Sequence, residues 1–580
     1  MMGKKIVIIG GVAAGPKSAC HAKRLMADAE ITILDQDSLI SYGGCGIPYY
    51  VSGDVNDEDQ LRKTSFHMTR DAAFFQDAKG VMVRTRTRAL AIDRQKKCVE
   101  VENLDSGKKE AIPYDNLVIA TGSQPFVLPI PGADLDGVYT ISDLHKAIAI
   151  KERLAKGMIG KAVVIGGGAI GLEMAEAFAD LWGAETSLIE FMPQVLPRII
   201  DAPFAAMLQN HMGKHGVNIY TGEGALSIEA DENGRACRVV TPKRTIDTDI
   251  VVMAAGVRPR TDLAREAGLL VSPLGIVVNN RLQTSDPNIY AAGDCIETVN
   301  LITGKKFFAP MGSLANREGR VVGDNLAGVP STFPGVIGSF VMKAFESCIG
   351  ATGLSLETAR AEGFDADASI SAPSDRAHFF PTESKMPMQL VFDRKTRRVL
   401  GVQAFGPMND AVLARINAAA ALISKEGTID DFSLLEMAYA PPFATAIDAL
   451  NAAANVADNM ACGRQRNISV NDFLAWIDNP AAHGDWMALD IRHPKEVEAF
   501  AEKFGPIWLG MPYNEVRRRF AELPTDKTLL IICDAGTRSY EIQVFLETVG
   551  LSNTLVLGGG FNIISRLGVD WWPKKLSSDS

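Results

Sequence analysis

The sequence predicts an α/β chain of several domains, and three observations carry that prediction. A glycine-rich turn between a short β-branched strand and a helix occurs near residue 10 and again near residue 166, and in each case a second strand follows and ends in an acid. Beyond residue 338 the texture changes to alternating strands and alanine-rich helices, with no third turn of this kind. From about residue 468 a separate strand and helix alternation begins, and it holds the run Cys533-Asp534-Ala535-Gly536-Thr537-Arg538-Ser539.

At 580 residues the chain exceeds what one hydrophobic core sustains. Its 59 basic and 69 acidic side chains leave a net charge of −10, which disfavours a nucleic acid partner, because phosphate binding rests on clustered cations. The longest apolar stretches, residues 6–15 and 163–171, are broken by glycine and fall short of a bilayer span, and no cleavable leader is expected. A soluble, cytoplasmic protein is expected, closing on a polar, serine-rich tail. Eight cysteines without a CxxC pair argue against a disulfide framework, so thiol chemistry must run on single cysteines. His211 and His215 have a metal-ligand spacing. With no HExxH motif or cysteine set beside them they are read as a solvated helical face, and no metal is assigned.

Each βαβ opening has a mechanical reason. The first runs as a strand from Lys4 to Ile9, the turn Gly10-Gly11-Val12-Ala13-Ala14-Gly15, a helix to Met26 with Pro16 in its first turn, and a strand from Ile31 to Leu34 closing on Asp35. The second runs from Ala162 to Ile165, through Gly166-Gly167-Gly168-Ala169-Ile170-Gly171, to a strand ending in Glu190. Glycine is needed where the backbone bends tightly and approaches a pyrophosphate, which then sits at the positive end of the following helix. A carboxylate at the tip of the second strand accepts bonds from ribose hydroxyls. Gly166, Gly168 and Gly171 with Glu190 complete this pattern, and Phe191 and Met192 after the acid, in place of arginine, favour NADH. In the first turn Val12 takes the middle glycine position.

Two further segments join these loops. Tyr114 to Gly122 is a buried strand entering a glycine turn through Thr121, and Ile289 to Asp294 is another strand ending in a carboxylate. Together the four segments resemble the FAD-dependent pyridine nucleotide disulfide oxidoreductases over residues 4 to 455. The resemblance implies two Rossmann-like domains, FAD-binding at 1–150 and 256–330 and NADH-binding at 151–255, followed by an α+β dimerisation domain at 331–458 and a linker at 459–467. It implies that Gly10, Gly15, Asp35, Thr121, Gly122 and Asp294 hold FAD, with Asp35 on the adenosine ribose and Asp294 on the ribityl and phosphate region.

Relatives that reduce glutathione or lipoamide carry a cysteine pair after the first βαβ unit, whereas Ser41-Tyr42-Gly43-Gly44-Cys45-Gly46-Ile47-Pro48-Tyr49-Tyr50 holds one. This segment resembles the branch containing coenzyme A disulfide reductase, NADH oxidase and NADH peroxidase. Cys45, beside Gly46 and ahead of Pro48, is expected at a helix start, where the dipole favours the thiolate. Lys17 and Arg24 on the first helix match coenzyme A positions of the coenzyme A subgroup, as do Ser41, Lys79 and Asn316; His21 lies among them as a departure from relatives. Tyr439-Ala440-Pro441-Pro442-Phe443 resembles the segment by which the dimerisation domain reaches the partner subunit's cysteine, where Tyr439 would donate a proton to a leaving thiolate or hold the substrate sulfur. Phe443 and Phe380 stand where relatives carry tyrosine.

Ala488 to Arg492, the strand Leu529 to Ile532 entering Cys533, and Val556 to Phe561 resemble a single rhodanese domain, spanning 468–580. Four residues separate Cys533 from Arg538. Related phosphatases use five, and the shorter loop closes its N–H groups around a sulfane sulfur. The expectation is a homodimeric FAD enzyme using NADH at Cys45 on a coenzyme A persulfide, polysulfide or disulfide, fed with sulfane sulfur by Cys533. The alternative is an NADH oxidase or peroxidase cycling through a cysteine sulfenate, with the last domain an independent sulfur carrier.

Overall fold

A computed structural model describes residues 3–141 and 143–572, so the serine-rich tail lies outside the described residues. The helices used below are α1 (Ala14–Leu25), α2 (Ile47–Ser52), α3 (Ala169–Ala179), α4 (Ala202–Lys214), α5 (Gly312–Leu326), α6 (Asp410–Ile423) and α7 (Thr537–Thr548). The chain divides into two compact units. One comprises the residues up to Pro193 together with Gly216–Val336, the other Gln194–His215 together with the chain from Ile337 onward.

The first unit contains two parallel five-stranded sheets, with smaller antiparallel sheets beside them. One runs Ile289–Ala291, Asn116–Ile119, Lys5–Ile9, Glu30–Leu34, Met82–Arg84. The other runs Val217–Thr221, Glu185–Glu190, Lys161–Ile165, Ile250–Met253, Val138–Thr140. Ile6 to Ile9 and Leu117 to Ile119 are buried, as strands covered on both faces must be. Ile9 pairs with both Leu34 and Ile119, so the central strand ends level with its neighbours and releases the chain at Gly10.

The expected border at residue 150 is displaced. Val138–Thr140 pairs in parallel with Val251 to Met253 and so closes the second sheet, and residue 150 lies inside the helix Leu144–Ala155. A three-residue strand carries no periodicity by which sequence could assign it.

The second unit contains an antiparallel sheet ordered Ser339–Ala344, Ser347–Gly353, Val399–Pro407, Met388–Asp393, Ala366–Ser371. The expected 151–255 domain is interrupted here, because α4 belongs to this unit. Phe204, Met207, Leu208 and Met212 bury its apolar face. The Asp201 carboxylate ahead of it accepts from Gln403 Nε2 at 2.7 Å and from the Leu356 N–H at 2.9 Å. His211 and His215 are half-buried beside Phe345, which corrects their reading as a solvated face.

A parallel sheet ends the described chain, ordered Asn467–Ile468, Thr554–Leu557, Thr528–Ile532, Trp486–Asp490, Trp508–Gly510. The expected linker at 459–467 is structured: residues to Ala461 finish a helix, and the Val556 N–H donates to Arg466 O at 2.8 Å. Among the described residues no helix is long and apolar enough to cross a membrane.

Candidate functional site

The two glycine loops are built alike. Gly10 and Gly166 have φ of 117° and 114°, a region side chains disfavour, and a Cβ on either would strike the carbonyl of Ala120 or Ala254. On Gly15 and Gly171 a Cβ would stand 1.9 and 1.8 Å from the carbonyl oxygens of Gly10 and Gly166. Each acid folds back onto its own loop. Asp35 accepts from the Gly11 N–H at 2.7 Å and the Asp37 N–H at 2.8 Å, and Glu190 from the Gly167 N–H at 2.6 Å and the Met192 N–H at 2.7 Å. Burial pushes the Asp35 carboxyl above its ordinary range, against the pull of those backbone donors. Each cradle thus fits a dinucleotide phosphate and ribose, and FAD and NADH are the cofactors expected of this architecture.

Asp294, Thr121 and Gly122 lie beyond the strand ends beside the first loop. Asp294 accepts from Ser123 Oγ at 3.0 Å, Thr121 Oγ1 donates to Arg260 O, and Gly122 is left-handed at φ 68°. Glu318 on α5 accepts from the Gly293 N–H at 2.7 Å, and burial raises its carboxyl to about 7.

Cys45 is exposed and lies in the 3₁₀ turn Gly44–Gly46. Cys45 stands directly before Gly46, the N-cap of α2, at the helix start that the sequence predicts. Its own following helix, α2, has six residues, whereas the 15-residue α5 begins beside the sulfur: a Cβ on Gly312 would stand 3.5 Å from Cys45 Sγ. The first residue of the longer helix, whose opening N–H groups have no intrahelical partner, thus stands against the thiol.

Helix α5 also sets the predicted coenzyme A positions. It lies so close to α1 that a Cβ on Gly319 would stand 2.7 Å from Ala14 O, and one on Gly323 2.9 Å from His21. Lys17 and Arg24 on α1 and Lys79 converge on Cys20; burial raises that thiol and all three cations oppose the rise. Asn316, one turn into α5, donates to Gly312 O at 2.8 Å. His21 and Ser41 are displaced from this surface. His21 is buried, with Nε2 2.6 Å from Asp324 Oδ1 and Nδ1 3.1 Å from an Arg24 nitrogen, so it braces Arg24 from below. Ser41 is buried at a positive φ of 52°, its N–H bonded to Gly11 O.

One pair escaped the sequence reading. Tyr49 on α2 donates to Glu173 Oε1 on α3 at 3.4 Å, and the Trp182 indole donates to Val51 O at 2.8 Å. Burial raises the Glu173 carboxyl to about 7. The signal was available: Glu173 stands two residues past Gly171, on the helix that the glycine loop opens.

In the second unit Tyr439 is exposed, as are Phe443 and Phe379. The Ala377 N–H donates to Pro441 O at 3.1 Å, which brings the segments around Phe380 and Tyr439 together. Beneath them Arg415 on α6 meets Asp448 at 2.6 Å, both buried, and the same guanidinium reaches Phe443 O. Sequence gave no sign of this brace.

Cys533 leaves the strand Thr528–Ile532 and is buried. The Gly536 N–H donates to its Sγ at 3.1 Å from a left-handed φ of 92°. Arg538, in the first turn of α7, pairs with Asp534. A Cβ on Gly560 would stand 2.1 Å from Cys533 O, so the glycine turn after residue 557 backs the loop directly.

Known proteins share this arrangement. The pyridine nucleotide-disulphide oxidoreductase model matches residues 4–306, and the dimerisation domain of the same group matches 341–450. An NAD(P)H coenzyme A polysulfide/persulfide reductase of Pyrococcus horikoshii is 35% identical over 456 residues, 78% of this chain and 98% of that protein. An NADH oxidase of Methanocaldococcus jannaschii is 33% identical over 78% and 98% of the two chains. Among solved structures, an NAD-dependent persulfide reductase from A. fulgidus superposes with a TM-score of 0.90 at 36% identity, covering 96% of this chain and 99% of that one. Reduced Bacillus anthracis CoADR-RHD gives 0.89 at 29% identity, covering 97% and 98%. The chain belongs to the pyridine nucleotide-disulphide oxidoreductase family.

Proposed function

We propose that the protein is a homodimeric NADH-dependent flavoenzyme that reduces a coenzyme A persulfide, polysulfide or coenzyme A disulfide, releasing sulfide and coenzyme A from the persulfide. A rhodanese domain from residue 468 onward supplies the sulfane sulfur. The observation that carries this reading is one exposed thiol, Cys45, at the start of α5, on the unit whose Lys17, Arg24 and Lys79 form a cationic ridge. Such a ridge suits the phosphates of a coenzyme A tail.

The Cys45 thiolate attacks the persulfide sulfur bonded to the coenzyme A carbon, the S–S bond breaks, and the terminal sulfur leaves as hydrosulfide. The Asp35 loop would hold FAD and the Glu190 loop NADH, whose hydride would provide, through the flavin, the electron pair needed to cleave the resulting mixed disulfide. Cys45 returns to thiolate and coenzyme A leaves as its thiol, the proton coming from Tyr439 of the partner subunit and ultimately from water. Glu190 orients the adenosine ribose of NADH. The Cys533 thiolate attacks the terminal sulfur of a polysulfide and the shortened polysulfide leaves; the Gly536 N–H stabilises the persulfide, and the coenzyme A thiolate then takes its outer sulfur and releases the Cys533 thiolate.

Turnover of NADH with coenzyme A persulfide, compared with oxygen and with hydrogen peroxide, tests the reading. Faster turnover with either oxidant overturns it and favours an oxidase or peroxidase. Loss of polysulfide-dependent turnover is expected in Cys533→Ala, with turnover on preformed coenzyme A persulfide retained. If Cys533→Ala leaves polysulfide turnover unchanged while Cys45→Ser abolishes it, the coupling of the two cysteines is wrong.

A further inference from the structure

Away from the nucleotide loops and sulfur sites, the described residues hold one cluster with metal-ligand chemistry: His211 and His215 on and just after α4, and Glu346 in the turn between the strands Ser339–Ala344 and Ser347–Gly353. Their ligand atoms all lie within 4.8 Å of one another. Aromatic walls hold the rings. Phe345, at a positive φ of 54°, stacks on His215 with centroids 4.3 Å apart, and Phe405 meets His211 edge-on at 5.7 Å. Phe345 and Glu346 are the two residues of the turn, and the turn brings the Glu346 carboxylate to the imidazoles.

Hydrogen-bond accounting points to a cation. His215 Nδ1 lies 2.9 Å from the backbone oxygen of His211. A carbonyl only accepts, so Nδ1 carries a hydrogen, and a neutral ring then presents a bare lone pair at Nε2. That lone pair faces Glu346 Oε2 at 2.9 Å, while His211 Nε2 stands 3.7 Å from Glu346 Oε1. Two acceptors cannot face each other unless a positive species lies between them. A proton satisfies one imidazole; a dication is shared by both and by the carboxylate. The bond from Nδ1–H to a backbone carbonyl is also how ligating histidines are oriented. Tetrahedral bonds of about 2.0–2.2 Å place ligand atoms roughly 3.3–3.6 Å apart, which the distances of 2.9 and 3.7 Å to the two carboxylate oxygens bracket.

We propose that His211, His215 and Glu346 bind a divalent first-row transition ion, with zinc the best match, which ties α4 to the strand turn at residues 344–347. Two imidazoles and one carboxylate exclude calcium and magnesium, which take oxygen ligands. At His211 the ion takes the place of the hydrogen that Nε2 directs to Ala344 O at 3.0 Å, and the neutral ring keeps its one hydrogen by shifting it to Nδ1.

The test uses the full-length, flavin-loaded protein after dialysis against chelator. Cobalt(II) is titrated in and read by its d–d absorption at wavelengths longer than the flavin bands. One cobalt per chain, displaced by zinc and without a thiolate charge-transfer band, is expected, with at least about ten-fold weaker binding in His215→Gln and Glu346→Gln. Glu346 is mostly exposed, so its variant keeps the fold. Zinc should raise the thermal midpoint of the parent and not of Glu346→Gln, while metal-free turnover of NADH stays the same in both. Equal cobalt affinity in parent and variants, a thiolate band that vanishes only in Cys45→Ser, or no binding at all overturns the proposal and leaves a protonated His215–Glu346 ion pair.

Discussion

Cys45 Sγ lies 3.5 Å from the point where a Cβ on Gly312 would stand, so the thiol and the first residue of α5 share one small space. That space admits a methyl group at ordinary contact distance and nothing branched. Gly312→Ala should keep most activity. Gly312→Val should lower kcat/KM with the sulfur substrate by about 10-fold or more, the loss expected of a misplaced reacting atom. Steady-state turnover with flavin absorbance as a control for cofactor loading checks both, and equal activity of the two variants would remove the helix start from the site.

Glu190 spends both carboxylate oxygens on its own loop, at Gly167 and Met192, and so presents a fixed acid to the nucleotide. Glu190→Ala should raise KM for NADH about ten-fold while kcat changes little, because binding common to ground and transition states is lost. Preference over NADPH should shrink, since the 2′-phosphate no longer meets a carboxylate.

Glu173 supplies a pH dependence. Its folded pKa of about 7 lies above its ordinary value of 4.5, so the folded state holds the proton more tightly than the unfolded chain. Stability from this group is therefore greatest below the unfolded value, falls as pH rises toward 7, and stays reduced above it. Glu173→Gln removes the effect. The thermal midpoint of the variant relative to the parent should rise between about pH 5 and about pH 8, and a constant difference would show that Glu173 is ionised throughout.

Arg415 and Asp448 are both buried, and the pair underlies the segments of Phe380 and Tyr439. Asp448→Ala leaves a guanidinium unpaired in the interior, which costs about 3–5 kcal/mol. Denaturant unfolding should show that loss, and limited proteolysis should cut near residues 439–443 before the rest of the chain.

The sequence exposed what local sterics demand. The glycine loops and their acids were legible because a tight turn beside a carbonyl leaves no alternative residue, and Cys533 was legible because its loop closes within a few residues. Relationships between distant segments left little trace. Gly312 against Cys45, Tyr49 against Glu173 and Arg415 against Asp448 each join residues whose nearness only packing decides. A partial sign did exist: Gly319 and Gly323 stand four apart on one face of α5, the spacing by which a helix clears room for a neighbour. Membership of α4 in the second unit had none, because its apolar stripe would suit either.

Cys533 is 1% exposed while Cys45 stands open. A bulky alkylating reagent therefore meets the two nucleophiles at very different rates, and a chain of bare sulfur, one atom wide, is the kind of reactant that slips through to the deeper one. The fold sorts these two thiols by girth, shielding the inner sulfur from chance adducts and irreversible oxidation.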